Sequence, residues 1–124
     1  MTRSLLLLGS ALVAGSCNEP ALPETKVIIG AILLDGKNPP LPHSVVIIQN
    51  GTVTASGSQQ TVPIPAGSEK INAAGKFLVS AQRASAIVPG APANLLLLNA
   101  DPTTNPANYE KIDRRMINGR WVKP

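Results

Sequence analysis

Aromatic side chains are nearly absent from this chain: Phe77, Tyr109 and Trp121 are the only ones in 124 residues. Its core must therefore be built from Val, Ile and Leu. Base-stacking platforms need aromatics, so nucleic acid is not an expected partner. There is a single histidine, His43, and a single cysteine, Cys17. A catalytic zinc site usually takes three protein ligands, and one imidazole cannot build such a site. His43 reads as a solvated turn residue in a Pro-rich loop. A Ser-His-Asp triad could only use His43, and nothing marks its neighbours. The 7 acidic residues are scattered; Asp35, Glu69, Asp101, Glu110 and Asp113 fall in loops or at strand ends, without metal-type spacing. Gly-rich phosphate loops are missing. No cofactor and no metal are expected. No window after residue 20 shows a sustained helical period. The 12 prolines and 10 glycines break the chain into short pieces, which favours short strands over long helices. The length allows one small domain.

The clearest positive signal is a β-hairpin over residues 44–57. Two β-favouring runs flank Asn50-Gly51, the dipeptide best suited to a type I′ turn, where both central residues need φ > 0. The two-residue loop predicts that Ile48 faces Val53 and that Val46 faces Ala55. Ile47, Gln49, Thr52 and Thr54 then lie on the other side, so one face is apolar and the other mixed. A second hairpin closes the sequence around Asn118-Gly119 and pairs Met116 with Trp121. Asn50, Gly51, Asn118 and Gly119 are thus the structural turn residues. Asn50-Gly51-Thr52 also matches the N-glycosylation pattern; at the tip of a tight turn this reads as coincidence.

Residues 1–17 have the form of a secretory signal. Arg3 supplies a short positive region, and Leu5 to Ala14 is an apolar run too short to span a bilayer comfortably. Val13-Ala14-Gly15-Ser16-Cys17 resembles a bacterial lipobox, although Ala14 stands where Leu is commonest. In that class of signal the cysteine is lipidated and becomes the mature N-terminus. Cys17 has no intrachain disulfide partner and sits where cleavage should occur. The competing reading is an ordinary signal peptide with an incidental cysteine, giving a secreted protein. Residues 18–25 form a short polar tether. Asn18, rather than Asp, follows the cysteine, and the resemblance then implies a lipid-anchored envelope protein at the outer membrane.

Between the hairpins the chain reads as more strands. Lys26 to Leu34 is a strand or strand pair, with Gly30 marking a bulge or a close backbone approach. Residues 35–40 are a loop. Gln59 to Ser68 is a Pro-punctuated connection, Glu69 to Ala73 a short strand, and Lys76 to Val79 another. Leu96 and Leu98 belong to a central strand. A helical turn is predicted over Pro106 to Lys111. The formal net charge is +4, and the cations after the signal cluster at Lys111, Arg114, Arg115, Arg120 and Lys123. That cluster reads either as a patch for an anionic surface or as the solvated face of a terminal hairpin.

Taken in order, these pieces carry a family resemblance. The strand, the Asp35-Gly36 loop, the Asn50-Gly51 hairpin and the run VPIPAGSEKINAAGKFLVS (62–80) resemble the N-terminal segment of amidohydrolases of the imidazolonepropionase and dihydroorotase kind. Ile87-Val88-Pro89-Gly90-Ala91-Pro92-Ala93-Asn94-Leu95-Leu96-Leu97-Leu98 resembles their C-terminal strand, with Asn94 where Asp is usual, and Ala100-Asp101-Pro102 and the Asn118-Gly119 hairpin complete it. The resemblance implies that both segments fold together into one small β-sandwich over residues 26–124. The expected fold is therefore all-β, a sandwich of mixed or mainly antiparallel strands preceded by a signal-peptide helix.

In such enzymes a metal-binding TIM barrel is inserted between the two segments, and their activity is hydrolysis of carbon–nitrogen bonds other than peptide bonds. Here about seven residues, from Ser80 to Ala86, replace a barrel of roughly 250, and the His-x-His pair expected just after Val79 is missing. The chain is therefore expected to be non-catalytic alone. Three readings stay open: a lipid-anchored accessory domain, a binding module whose former barrel-docking face holds a partner chain, and a degenerate fragment. If Cys17 is the anchor, the protein will partition into detergent and incorporate labelled palmitate, and Cys17→Ala will abolish both. Wild-type protein that is soluble and begins at another residue refutes the anchor.

Overall fold

The computed structural model describes residues 24–82 and 85–123. The signal segment, Cys17 and most of the tether lie outside the described residues. The strands are β1 (Thr25–Ile29), β2 (Ile32–Leu34), β3 (Ser44–Gln49), β4 (Thr52–Ser58), β5 (Glu69–Asn72), β6 (Phe77–Ser80), β7 (Leu95–Leu98), β8 (Ile112–Ile117) and β9 (Arg120–Val122). They form a four-stranded sheet in the order β4-β3-β1-β5 and a five-stranded sheet in the order β9-β8-β7-β6-β2. Both sheets are mixed, because β1 runs parallel to β5 and β2 parallel to β6. The expected all-β sandwich is what the chain forms, with its N- and C-terminal segments in one core.

The two parallel pairs share one cause. Each of two segments leaves the first sheet and enters the second, side by side. The first crosses at Gly30-Ala31 and the second at Ala73 to Lys76. The N–H of Ala73 donates to the Ile29 carbonyl at 2.7 Å, and that of Ile32 to the Lys76 carbonyl at 2.9 Å. Gly30 has φ +94, and a Cβ there would sit 3.3 Å from the backbone of Ala74. The close approach expected of Gly30 is therefore this crossing. Ala31 and Ala73 are fully buried beside it, since anything larger would hold the segments apart.

Both hairpins have the expected turns. Asn50 and Gly51 have φ of 53 and 81, and Asn118 and Gly119 of 49 and 81. Ile48 faces Val53 and Met116 faces Trp121. Val46, however, faces Ser56 rather than Ala55, because the register slips between Ile47 and Ile48. Thr54 is the extra residue of a β-bulge, and its hydroxyl donates to the Ile47 carbonyl at 3.3 Å. The mixed outer face is also corrected. Val45 and Ile47 are buried with Val27 in a cluster of their own, against Ile29, Ala55 and Val62. The Pro-punctuated connection folds back over the sheet and brings Val62 there. Runs such as Val45-Val46-Ile47-Ile48 and Leu95-Leu96-Leu97-Leu98 are continuously apolar because both of their faces are covered.

The main core lies between the sheets and holds Ile28, Leu33, Val46, Ile48, Val53, Ile71, Leu78, Ile87, Leu95, Leu97 and Met116. Leu96 and Leu98 are buried on the far side of β7, the middle strand of its sheet, with Val79. The predicted helical turn is a 3-10 turn over Pro106–Glu110, where Asn105 Oδ1 accepts from the Ala107 N–H and a proline opens the first turn. Ile48 is 2% exposed. Truncating a buried isoleucine typically costs about 2–5 kcal/mol, so Ile48→Ala will lower the denaturant midpoint by a large share of this domain's stability. An unchanged midpoint would mean that the hairpin is misplaced.

Candidate functional site

Three places in this fold were candidates for chemistry: the lone histidine with the scattered carboxylates, the link that stands where a barrel would be inserted, and the basic hairpin. His43 is exposed in the loop before β3, with φ 52. Its carbonyl accepts the Gln59 N–H at 3.0 Å and closes the open end of the central hairpin. Among the described residues, no three His, Cys, Asp or Glu side chains are placed to hold a metal ion. Asp35, Asp101 and Asp113 are engaged in local structure instead. Asp101 accepts from the Thr103 N–H at 2.8 Å and from its hydroxyl at 2.6 Å, shaping the turn before the 3-10 segment. Asp113 lies 3.9 Å from both Lys76 and Arg114.

Asp35 organises the loop after β2. It accepts from the backbone N–H groups of Lys37 and Asn38 and from the Asn38 amide, at 2.8, 2.8 and 2.9 Å. Partial burial is the largest single influence on its carboxyl and pushes it up. The hydrogen bonds from Asn38 and Lys37 together outweigh it and hold the group below its ordinary value of 3.8. A loop-organising acid of this kind contributes stability above its unfolded pKa, and the contribution is lost as pH falls towards the folded value.

The link is short because its two ends are neighbours. Strand β6 pairs with β2, Val79 beside Leu34. After β6 the Ala81 N–H donates to the Asn94 carbonyl at 2.8 Å, and Ser85 N–H to the Gln82 carbonyl at 2.8 Å. The Ile87 N–H then donates to the Asp35 carbonyl, just past the end of β2, at 3.0 Å. The chain thus leaves one strand and re-enters next to its immediate neighbour. A small cleft of about 130 Å³ sits here, lined by Leu34, Gly36, Val79, Ser80, Ser85, Thr103 and Tyr109. Of its hydroxyls, that of Thr103 is committed to the Asp101 carboxylate at 2.6 Å, and His43 is not among the lining residues.

A feature absent from the sequence reading joins the two hairpins. The Asn-Gly turns meet tip to tip. A Cβ on Gly119 would lie 2.6 Å from Gly51 Cα, and one on Gly51 would lie 2.8 Å from the Asn118 carbonyl oxygen. Ala93 stitches them together: its N–H donates to the Gly51 carbonyl at 2.8 Å, and its carbonyl accepts from the Gly119 N–H at 3.0 Å. Asn94 Oδ1 accepts the Asn118 N–H at 2.7 Å. That contact explains why Asn suffices at position 94, where the resemblance led one to expect Asp. The role needs one acceptor oxygen, and both side chains supply it. The only signal in the sequence was the repeated Asn-Gly dipeptide, which says nothing about which turn it touches.

The basic hairpin has two faces. Met116 and Trp121 point inwards, and Arg114 stacks over the Trp121 ring at 5.3 Å. Alternation puts Arg115, Ile117, Arg120 and Val122 on the outer face. An open cleft of about 340 Å³ runs along the edge by Asp113, Arg114, Trp121, Val122 and Lys123. Arg115 Nε and Trp121 Nε1 are buried without a hydrogen-bond partner.

No family model matches the chain, and no curated protein matches it. Several solved structures are similar to part of it. A molinate hydrolase is 32% identical over 47% of this chain, with a TM-score of 0.42, and this chain covers 13% of it. Phenylurea hydrolase B is 24% identical over 46%, with a TM-score of 0.43, and is likewise covered over 13% of its length. The ochratoxinase of A. niger is 18% identical over 45%, with a TM-score of 0.38 and 13% covered. These neighbours are amidohydrolase-family hydrolases, and the chain spans a small fraction of their length.

The meeting of the turns can be tested with paired glycine substitutions. Gly67 has φ +79 with open space around it, whereas Gly119 has φ +81 with Gly51 in the way. Left-handed strain alone costs about 1–2 kcal/mol. Gly67→Ala will lose about that much in a denaturant titration, and Gly119→Ala at least twice as much. Equal losses would show that the tip contact does not matter.

Proposed function

We propose that this chain is an amidohydrolase-like sandwich domain with no catalytic centre of its own, held at the cell envelope through Cys17 and serving as an accessory module. The observation that supports the reading most directly is the Ile87–Asp35 hydrogen bond. It closes the sandwich at the point where the resemblance places the barrel. The loop-closure entropy of so short a link is small, so the sandwich folds as one unit around it. Metal-assisted hydrolysis requires a bound ion with an open position, which turns water into a nucleophile near neutral pH. The ligands for such an ion come from barrel strands in the resembled enzymes, and the described residues offer none in their place.

A partner chain that carries a barrel would be seated at the same link, over the half-buried Leu34 and Phe77 and the Tyr109 ring. It would supply both the metal and the general base. The test is elemental analysis of the purified chain for Zn, Fe and Mn, followed by assays of cyclic amide and dipeptide hydrolysis with metal added. Substoichiometric metal and no turnover are expected. Stoichiometric metal with turnover that disappears in His43→Ala would overturn the reading.

A further inference from the structure

The outer face of the terminal hairpin alternates cations with aliphatic side chains. In the register Arg115 faces Val122 and Ile117 faces Arg120, so two cations and two aliphatic groups alternate like a checkerboard. Ile117 is 44% and Val122 39% exposed; they are two of the three large hydrophobics exposed among the described residues. By the same alternation Arg114 and Lys123 lie on the Trp121 side, at the rim of the hairpin, and Asp113 is the only carboxylate in residues 112–123.

We propose that this face is a contact surface for anionic phospholipid headgroups, with Ile117 and Val122 dipping into the interface between the arginines. A lipid surface takes both classes at once: headgroup phosphates receive the guanidinium and ammonium groups, and the acyl boundary receives the aliphatics. A second copy of the chain does not fit, because it would set Arg120 and Lys123 against their own equivalents across the β9 edge.

The position of the chain's entry into the sandwich points the same way. Glu24 is held below its ordinary range, first by the hydrogen bond and charge of Lys26 and also by the charge of Arg120. The first described residue therefore enters the domain within electrostatic reach of this face. From Cys17 to Glu24 the chain can reach at most about 25 Å. An anchor at Cys17 would bring the basic face near the bilayer without demanding that the domain turn over. A single acyl group with a basic patch holds far better than the acyl group alone. The anchor belongs to the proposed function, whereas the contact face itself is argued from the hairpin, so the two are tested separately.

The test uses the full chain with Cys17→Ser, so that lipidation contributes nothing, and compares sedimentation with vesicles of phosphatidylcholine against vesicles containing about 30% phosphatidylglycerol. The apolar leader is common to every arm, so the contrast between the two vesicles is what is read. Tighter binding to the anionic vesicles is expected, fading as salt shortens the screening length from about 10 Å at 0.1 M to about 3 Å at 1 M. Arg120 and Lys123 are exposed, so Arg120→Gln with Lys123→Gln leaves the melting midpoint in place. Each lost cation should weaken binding to the anionic vesicles about fivefold. Ile117→Ser should weaken it while leaving the salt slope unchanged. Equal binding to both vesicles, or anionic binding that ignores these substitutions, overturns the proposal. So does tighter binding of polyglutamate or duplex DNA that is indifferent to Ile117→Ser, which would assign the face to an acidic chain instead.

Discussion

Everything in this fold leans on the place where two Asn-Gly turns touch. Neither turn has a side chain at its second position, so the backbones of Gly51 and Gly119 approach to within a distance that a single Cβ would forbid. Ala93 lies between them and hydrogen-bonds to both. One turn belongs to the four-stranded sheet and the other to the five-stranded sheet. Their contact, together with the crossing at Gly30, sets how the sheets lie on one another and therefore which side chains interleave in the core. Interiors are packed as densely as organic crystals, so such backbone contacts leave no slack to absorb a methyl group.

The same constraint explains the bulge in the central hairpin. Val53 does not spend its outward backbone groups on solvent. Its N–H donates to the Ala91 carbonyl at 2.8 Å, and its carbonyl accepts from the Gly90 N–H at 2.7 Å. The segment after the link thus lies along the edge of β4 and protects it from pairing elsewhere. Strand β4 bends at Thr54 to follow that segment, which moves Val46 opposite Ser56. The C-terminal half therefore reaches back into the N-terminal sheet, and the two halves of the sequence form one unit.

Function follows from what that unit brings together. Asp35 and Asp101 serve as turn acceptors, Asp113 sits in weak ion pairs, and His43 serves through its carbonyl. The link places hydroxyls around a small cleft, where that of Thr103 is held by the Asp101 carboxylate. What remains outward-facing and unspent is the hairpin at the sheet edge, where arginines alternate with aliphatic side chains.

Local chemistry decided a good deal on its own. The two Asn-Gly dipeptides determined both turns, because only residues tolerant of φ > 0 can occupy them, and the pairings of Ile48 with Val53 and Met116 with Trp121 followed within a residue or two. The short apolar runs determined an all-β chain. The tertiary structure alone decided the bulge at Thr54, the burial of Val45 and Ile47 on a second face, and the meeting of the turns. Each of these depends on a segment far away in sequence: residues 90–91 for the bulge, Val62 for the covered face, Ala93 for the turns. Period and propensity describe a strand and its neighbours along the chain. They carry no information about which distant backbone will offer the next hydrogen bond, and in this sandwich those distant partners fixed the register, the covered faces and the packing of one sheet on the other.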